Sequence, residues 1–467
     1  FFERAIIVLI EISMTVEIKN IPGQLPAFWD RNVIFFANTQ SIFYDNIDGL
    51  NSLKRQIKGV DTYGGRLIPI INILFKGDNN LLVLEKPPDQ TLLRYFAEDL
   101  NLSLPNITIL SHSVYDTLLN QGDKRIHDGI SLTLTKIHQH NATWVDGFVS
   151  DSTLMSLAKA LNKPTISSLE GSKRGNNKFL LHNTLSEEGF PVFDTLPAAS
   201  PDDVPTCIAT LRKKGYSKAV VKAQIGASGI GITSLPTLSG SPVSIPEHFF
   251  FEGPCMVQGW LDDTVKNIRQ MGSPSIQIFL DDNTLSLYDI TEQILNMDCV
   301  HEGNFSPPSY FSKEDWVYEE LFCQATTAGS WLHELGYRGT ASVDFLVVER
   351  CGNIEVRVCE INARITGATY PSVIARHFLP HDAWLMRNVR FSMPLNDTSL
   401  LKMLDQAGYL FRPGMQEGVL PINFNLNEDG SVEKGQFLCL AKNGEDCLLI
   451  LKQIESVLPL SWHYDRD

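Results

Sequence analysis

Along the first third of the chain, from about residue 33 to 165, unbroken apolar runs alternate with stretches of helical period. Residues 33–37 and 81–84 are apolar throughout and 107–110 apolar but for Thr108, which predicts buried strands, as in a parallel sheet. Residues 92–100 predict a helix between two of them. A helix predicted over 152–161 runs out at Lys163-Pro164, a natural boundary because the residue before proline is pushed out of the helical region. Beyond it the period shortens to two. Residues 219–223 predict a strand that enters a glycine-rich turn, Gly226-Ala227-Ser228-Gly229-Ile230-Gly231, and 232–235 again look β-like. Residues 341–348 and 354–362 alternate on either side of Cys351-Gly352-Asn353, which predicts a hairpin. The tail from Thr398 predicts strands over 418–424 and 435–440 and a helix over 448–458, a small α+β unit. The segments 239–242 and 306–309 read as connectors, and there is no internal repeat.

The hairpin carries candidate chemistry. If its loop is the three residues 351–353, Arg350 pairs with Ile354, Asp344 falls opposite Glu360, and Ser342 falls opposite Asn362. Side chains two apart share a face, so Asp344, Glu360 and Asn362 project together. Like charges directly opposite on a sheet are destabilising, and a cation between them removes the penalty. Two carboxylates and an amide oxygen are hard ligands of the kind Mg²⁺ takes while holding nucleotide phosphates. A solvated acidic sheet face is the competing reading, and the hairpin alone leaves both open.

The glycine-rich segment narrows the choice. Its order is G-x-x-G-x-G with a strand behind it, so it is neither the dinucleotide fingerprint, which opens a helix, nor a Walker loop, which needs Gly-Lys-Ser/Thr. What remains is a hairpin loop whose free N–H groups can close over phosphates, with Lys222 at its entrance, or else a plain Gly/Ser turn.

Taken in order, Lys178, Lys222 with the glycine loop, the segment Met256-Val257-Gln258-Gly259-Trp260-Leu261, Asp344 and Glu360-x-Asn362-x-Arg364 resemble the ATP-grasp superfamily. The resemblance implies that Lys178, Lys222, Gly226, Ser228, Gly229 and Gly231 hold ATP, and that a hinge at Gln258, Trp260 and Leu261 reads adenine. It also implies that Asp344, Glu360 and Asn362 ligate Mg²⁺ or Mn²⁺. The superfamily usually carries Glu where this chain has Gln258. A narrower resemblance, to the pheganomycin-type peptide ligases, rests on Gly171-Ser172-Lys173-Arg174-Gly175-Asn176-Asn177-Lys178, on segments 273–277, 291–295 and 301–304, and on Arg364-Ile365-Thr366-Gly367-Ala368-Thr369-Tyr370-Pro371. In the last of these, Thr366 and Tyr370 depart from the group's Gly and His, so substrate identity does not carry over.

The expected fold class is therefore α/β and α+β: a Rossmann-like pre-ATP-grasp domain over 14–164, an ATP-grasp unit over 165–397 and a C-terminal α+β cap over 398–467. Residues 1–13 form an extension if Met14 is the original start. The implied activity is an ADP-forming ligase that joins a carboxylate, activated as an acyl phosphate, to the amine of an amino acid or peptide. A carrier-protein-dependent ligase and a non-catalytic ATP-binding protein are the alternatives.

Composition agrees with a soluble enzyme of two or three domains in 467 residues. The net charge of −15 argues against a nucleic-acid footprint. Eight scattered cysteines without a C-x-x-C argue against a zinc site or disulfide framework and for a reducing cytoplasm. The apolar run 5–10 is too short to span a membrane. Homodimerisation is an expectation from the resemblance. Among single residues, Arg364 is expected to bridge the transferring phosphate and the oxyanion, against a salt bridge to Glu360. Glu292 is a candidate for the incoming amine or a second metal, and His301 for the base that takes the amine's proton. Asp263, or Asp262 beside it, is placed to take ribose hydroxyls. Each of these has a structural reading as well: a polar strand network for Glu292, a satisfied core histidine for His301, surface acids for the aspartates. Ser172, Lys173 and Arg174 are read as shaping the loop before Lys178, and His138-Gln139-His140 as solvated histidines on a strand.

Overall fold

The computed structural model describes residues 16–56, 60–77, 79–115, 131–227, 229–238, 243–263, 265–295, 301–310, 315–427 and 429–461. The extension expected over 1–13, Ser228 and the connector 239–242 lie outside them. Among the described residues no helix is long and apolar enough to cross a membrane.

The first strand, β1 (Glu17–Asn20), does not join the N-terminal layer; it belongs to the central sheet described below. The layer itself contains β2 (Val33–Phe36), β3 (Leu81–Leu84), β4 (Asn106–Ile109) and β5 (Trp144–Gly147), all parallel in the order β4-β3-β2-β5. β2 and β3 are buried along their whole length, as their unbroken apolar runs predict. The helix expected at 92–100 begins earlier, at Gln90, where the Asp89 side chain accepts from the Leu92 amide. His138 lies in a helix, Ser131–Gln139, rather than on a strand, so the alternation read there has no strand beneath it. Helix α1 (Ser152–Ala160) closes the layer.

Helices α2 (Leu169–Gly175) and α3 (Lys178–Glu187) lead into an antiparallel lobe. Its strands are β6 (Thr195–Ala198), β7 (Lys218–Ala227), β8 (Ile230–Pro236) and β9 (Cys255–Gly259), in the order β6-β9-β7-β8. Ala219, Val221 and Ala223 pack with Cys255 and Val257 into this lobe's core, which leaves Val220, Lys222 and Gln258 on the other face. The glycine-rich turn is a β hairpin, as read from the sequence. A Cβ on Gly226 would lie 2.5 Å from the Ile230 carbonyl oxygen, and Gly229 and Gly231 both have φ of +79°.

Among the described residues the central sheet holds eleven strands. Its continuous path runs through β10 (Ile268–Gly272), β14 (Gly339–Arg350), β11 (Pro274–Leu280), β12 (Thr284–Leu295), β13 (His301–Ser306), β16 (Ala383–Asn396), β18 (Ser431–Ala441) and β17 (Gly418–Leu426). β15 (Asn353–Asn362) pairs with β14, β1 with β12, and β19 (Leu460–Ser461) with β16. Helix α4 (Asp315–Glu334) covers one face through Val317, Leu321, Ala325 and Leu332, and α5 (Thr369–Phe378) covers the other.

Two expectations are corrected here. The tail is not a separate cap: β17 and β18 extend the central sheet by pairing β18 with β16, so the boundary expected at 397/398 falls inside one sheet. Its helix, α6 (Gly444–Glu455), packs Ile450 and Ile454 into the same core as Phe35 and Trp29 of the N-terminal layer. The hairpin turn is two residues, Cys351 and Gly352, both at positive φ (51° and 83°), not three. That alone would shift every pair by one. A bulge between Asp344 and Phe345, where Cys359 is the extra residue, restores the register, and Asp344 lies opposite Glu360 after all.

Candidate functional site

The β14–β15 hairpin delivers Asp344, Glu360 and Asn362 to one face of the sheet. The Asn362 Nδ2 sits between the two carboxylates, donating to Asp344 Oδ2 at 3.0 Å and Glu360 Oε1 at 3.4 Å. On the neighbouring strand, Ser275 Oγ donates to Asp344 Oδ1 at 2.6 Å. Lys178, the first residue of α3, reaches in from the side. The Asn177 side chain caps that helix by accepting from the amides of Phe179 and Leu180, which fixes where Lys178 projects. Its Nζ lies 2.8 Å from Glu360 Oε2 and 3.2 Å from the Gly226 carbonyl, so one ammonium joins the carboxylate pair to the glycine hairpin. Lys222, on the inner face of the lobe, stands 5.6 Å from the Phe193 ring centroid.

The charges divide the two acids. Burial and the adjacent Glu360 push the Asp344 carboxyl up to about 7. Burial alone would also raise Glu360, but Lys178, with Arg364 and Lys222, holds it below the usual carboxylate range. Among the described residues no three His, Cys, Asp or Glu side chains gather as a metal site. A cation between Asp344, Glu360 and the Asn362 amide would therefore complete its shell from phosphate or water oxygens, as Mg²⁺ does. The donor set fits that ion.

Arg364 is not paired with Glu360. Its guanidinium donates to Asn176 Oδ1 at 2.6 Å, and the same oxygen accepts the Ala363 amide at 3.1 Å. Asn176 and its neighbour Tyr44, from the N-terminal layer, were not among the candidates read from the sequence. Nothing in a pattern of periods marks a contact 188 residues away in the chain.

At the hinge, Gln258 is 3 % exposed, and its Nε2 donates to Thr195 Oγ1 at 2.8 Å. That hydroxyl in turn donates to the Phe193 carbonyl, a bond it would have to give up if the amide turned round. Gln258 Oε1 is left buried with no hydrogen-bond partner. Such an acceptor suits an amine donor like that of adenine. Leu261 packs its side chain into the lobe core, leaving only its backbone for a ligand, and the Trp260 amide donates to Lys218.

Three candidates lie elsewhere or are occupied. Ser275 pairs with both Asp344 and Thr291, so Glu292, next to Thr291, faces the opposite side of the sheet, where it accepts from the Ser273 amide and from Tyr310 Oη. Burial holds its carboxyl up at about 7. The strand pairing that sets this face is invisible in the sequence. Asp263 accepts from the Gln270 amide at 2.7 Å and fixes the entry to β10, while Asp262 binds Lys218 and the Trp260 indole. His301 is hydrogen-bonded to Asn304 Oδ1 and lies under the turn after Arg364, 3.2 Å from where a Cβ on Gly367 would be. Burial lowers its pKa, which favours the neutral ring.

No protein-family profile matches the chain. A search of curated proteins finds 25% identity over 197 residues to the [butirosin acyl-carrier protein]–L-glutamate ligase of Niallia circulans, covering 42% of this chain and 44% of that enzyme. The match thus spans less than half of the relative's length. Among solved structures, biotin carboxylase of Campylobacter jejuni in a β,γ-ATP complex superposes with a TM-score of 0.57 at 14% identity, covering 92% of both chains. The biotin carboxylase domain dimer of Hydrogenobacter thermophilus 2-oxoglutarate carboxylase, with MgADP and bicarbonate, gives 0.55 at 12%, over 92% of this chain and 91% of that one. An ADP complex of N5-carboxyaminoimidazole ribonucleotide synthetase gives 0.54 at 13%, over 92% and 97%.

Proposed function

We propose, from the premise that this chain has the ATP-grasp fold, that it is an ADP-forming ligase joining a carboxylate to an amine. The observation that carries the reading is the convergence of Lys178, Lys222, Arg364 and the Asp344–Glu360–Asn362 set on one spot beside the glycine hairpin. Oxide is a poor leaving group, so a carboxylate must be activated before an amine can replace it. The acid's oxygen attacks the γ-phosphorus, ADP leaves, and an acyl phosphate forms. The amine then attacks the acyl carbon, phosphate leaves with the C–O electron pair, and the nitrogen gives up a proton. The acceptor proposed for that proton is His301, whose ring is hydrogen-bonded to Asn304 Oδ1.

The chain's own task is positioning and charge. Lys178 and Lys222 offset the charge on ATP so that a second anion can approach. The glycine hairpin supplies backbone N–H groups to the phosphates. Asp344, Glu360 and Asn362 are the residues that would hold Mg²⁺, which supplies positive charge to the phosphate oxygens. Arg364 stabilises the transferring phosphate and the tetrahedral oxyanion.

The likeness to a carrier-protein–glutamate ligase favours a second reading in which the acceptor is the thiol or amine of a carrier-bound arm and the acid is an amino acid such as glutamate. One experiment separates the readings: mass spectrometry of the full chain with ATP, Mg²⁺ and pooled amino acids and peptides, with and without a phosphopantetheinylated carrier protein. ADP with a new mass of acid plus amine minus water supports the first. ADP only when the carrier is present, with the carrier gaining mass, supports the second. AMP as product overturns the acyl-phosphate chemistry. Glu360→Ala should abolish turnover in the productive mixture and leave the circular-dichroism spectrum intact; unimpaired turnover would sink the cation assignment.

A further inference from the structure

Arg364 needs a fixed direction if it is to meet a transferring phosphate, and its partner in this structure is a neutral amide. Asn176 is 5 % exposed at the C-terminal end of α2. Its Oδ1 accepts from Arg364 Nη1 at 2.6 Å and from the Ala363 amide at 3.1 Å. Its Nδ2 donates to the Ser172 carbonyl at 2.8 Å, to Tyr44 Oη at 3.2 Å and to the Ala363 carbonyl at 3.3 Å. The one amide therefore grips both the N–H and the C=O of the residue before Arg364, in the manner of a neighbouring strand, and the guanidinium as well. Tyr44 is itself fixed by Ser172 Oγ at 2.8 Å and sits at φ +53° in the N-terminal layer. A carboxylate in place of Asn176 would hold the guanidinium more tightly but neutralise it. An amide oxygen uses one N–H and leaves the charge and the other donors for an anion.

We infer that Asn176, backed by Tyr44 and Ser172, is a positioning residue that aims Arg364 at the terminal phosphate of the nucleotide, so that the N-terminal layer takes part in catalysis through this relay. The inference rests on the nucleotide reading proposed above, and its test separates the two. Calorimetric affinities for ADP and for the non-hydrolysable AMP-PNP are measured, each with Mg²⁺, on the full chain. Arg364→Ala should weaken AMP-PNP by about 10-fold or more, the loss expected for one charge-assisted hydrogen bond, and leave ADP unchanged. Asn176→Ala and Asn176→Asp should do the same although neither removes the arginine, and Tyr44→Phe should weaken AMP-PNP by less. Added guanidinium at millimolar concentration should restore AMP-PNP binding to Arg364→Ala, but not to the Arg364→Ala/Asn176→Ala double variant, because the cradle is gone; a purely structural asparagine would not produce that difference. Equal rescue of both, or an Asn176→Ala protein with wild-type preference between the nucleotides, overturns the inference. Failure of the wild-type chain to bind ADP overturns the nucleotide reading instead. A variant that loses ADP affinity together with AMP-PNP affinity shows a general packing role and also overturns the inference.

Discussion

Two carboxylates lie on the same face of the central sheet and meet opposite fates. Asp289, on β12, is 1 % exposed, and the protein supplies everything it needs. Arg376 donates to both its oxygens at 2.8 and 3.2 Å, Ser306 Oγ donates at 2.9 Å and the Trp384 indole at 3.0 Å. Asp344, opposite Ser275 and within one strand of the same polar row, faces another carboxylate instead. Its donors are an amide and two hydroxyls, and its carboxyl is pushed up to about 7 by burial and by Glu360. The difference separates an acid satisfied by the fold from a candidate for binding. Where the cation is built in, the carboxylate holds the fold together; where a second carboxylate stands in its place, the pair is a candidate for holding a bound one.

The paired substitutions Asp344→Asn and Asp289→Asn test this most severely. Asp344→Asn should cut ADP-forming turnover by ~10²–10³-fold, the scale seen when one electrostatic contact at a reacting centre is lost. Its urea midpoint should stay the same or rise, because a like-charge pair is relieved. Asp289→Asn should cost ~3–5 kcal/mol of stability, since it strands the Arg376 guanidinium in the core. If the urea curves show Asp344→Asn to be the more destabilised protein, the distinction drawn between the two acids is wrong.

Asp146 supplies the intermediate case, a buried acid with neither a paired cation nor a second acid. It lines a small cavity between the N-terminal layer and the central sheet, with Trp29, Phe279 and Tyr337 around it. Arg31 acts on it only at range; that guanidinium lies 4.1 Å from the ring centroids of Trp29 and Trp144 and pairs with Asp282. Burial raises the Asp146 carboxyl to about 7, from 3.8 when unfolded. A raised carboxyl binds its proton more tightly in the folded state, so its stabilisation is whole below about pH 4 and is lost as the pH rises through about 7. The loss is on the order of 4 kcal/mol at pH 8. Asp146→Asn has no proton to lose. Its unfolding free energy relative to wild type should climb between pH 4 and 8; parallel pH profiles for the two proteins would rule this out.

How much of this was legible beforehand depends on the range of each interaction. The parallel N-terminal strands were legible because strands buried on both faces need unbroken apolar runs, and 33–36 and 81–84 are such runs. The juxtaposition of Asp344 and Glu360 was legible through alternation, although two details of it were not: the shorter turn and the bulge at Cys359 cancel, and neither leaves a mark in hydrophobic period. Glu292 was misplaced because its face depends on which strands flank it, and β11, its partner, also pairs with a strand about 70 residues further on. The tail looked like a cap for the same reason: strands at 418–426 and 431–441 are plain hairpin signals, and only tertiary pairing with β16 shows that they extend an existing sheet. Asn176 reads as one more polar residue in a loop until Arg364 is brought beside it.

The smallest expected effect sharpens the comparison with a neutral group. Gln258 Oε1 differs from Asp344, which has an amide and two hydroxyls as donors: the glutamine oxygen is a buried acceptor with no hydrogen-bond partner among the described residues. Its amide is oriented by the chain from Nε2 to Thr195 Oγ1 to the Phe193 carbonyl, and turning it would break the last of these bonds. A nucleobase presenting an amine donor at this point gains a hydrogen bond; one presenting a carbonyl meets two acceptors face to face. Gln258→Met keeps the volume and removes the acceptor. ADP affinity should fall by about 10-fold, the value of one buried hydrogen bond, while GDP affinity stays the same or improves. Glutamate at this position, by contrast, should retain the preference for ADP, because a carboxylate also accepts. Calorimetric titration of both nucleotides against the two variants decides the point. Equal losses of ADP and GDP in Gln258→Met would mean that the side chain only packs the hinge, and that the orphaned oxygen recognises no base.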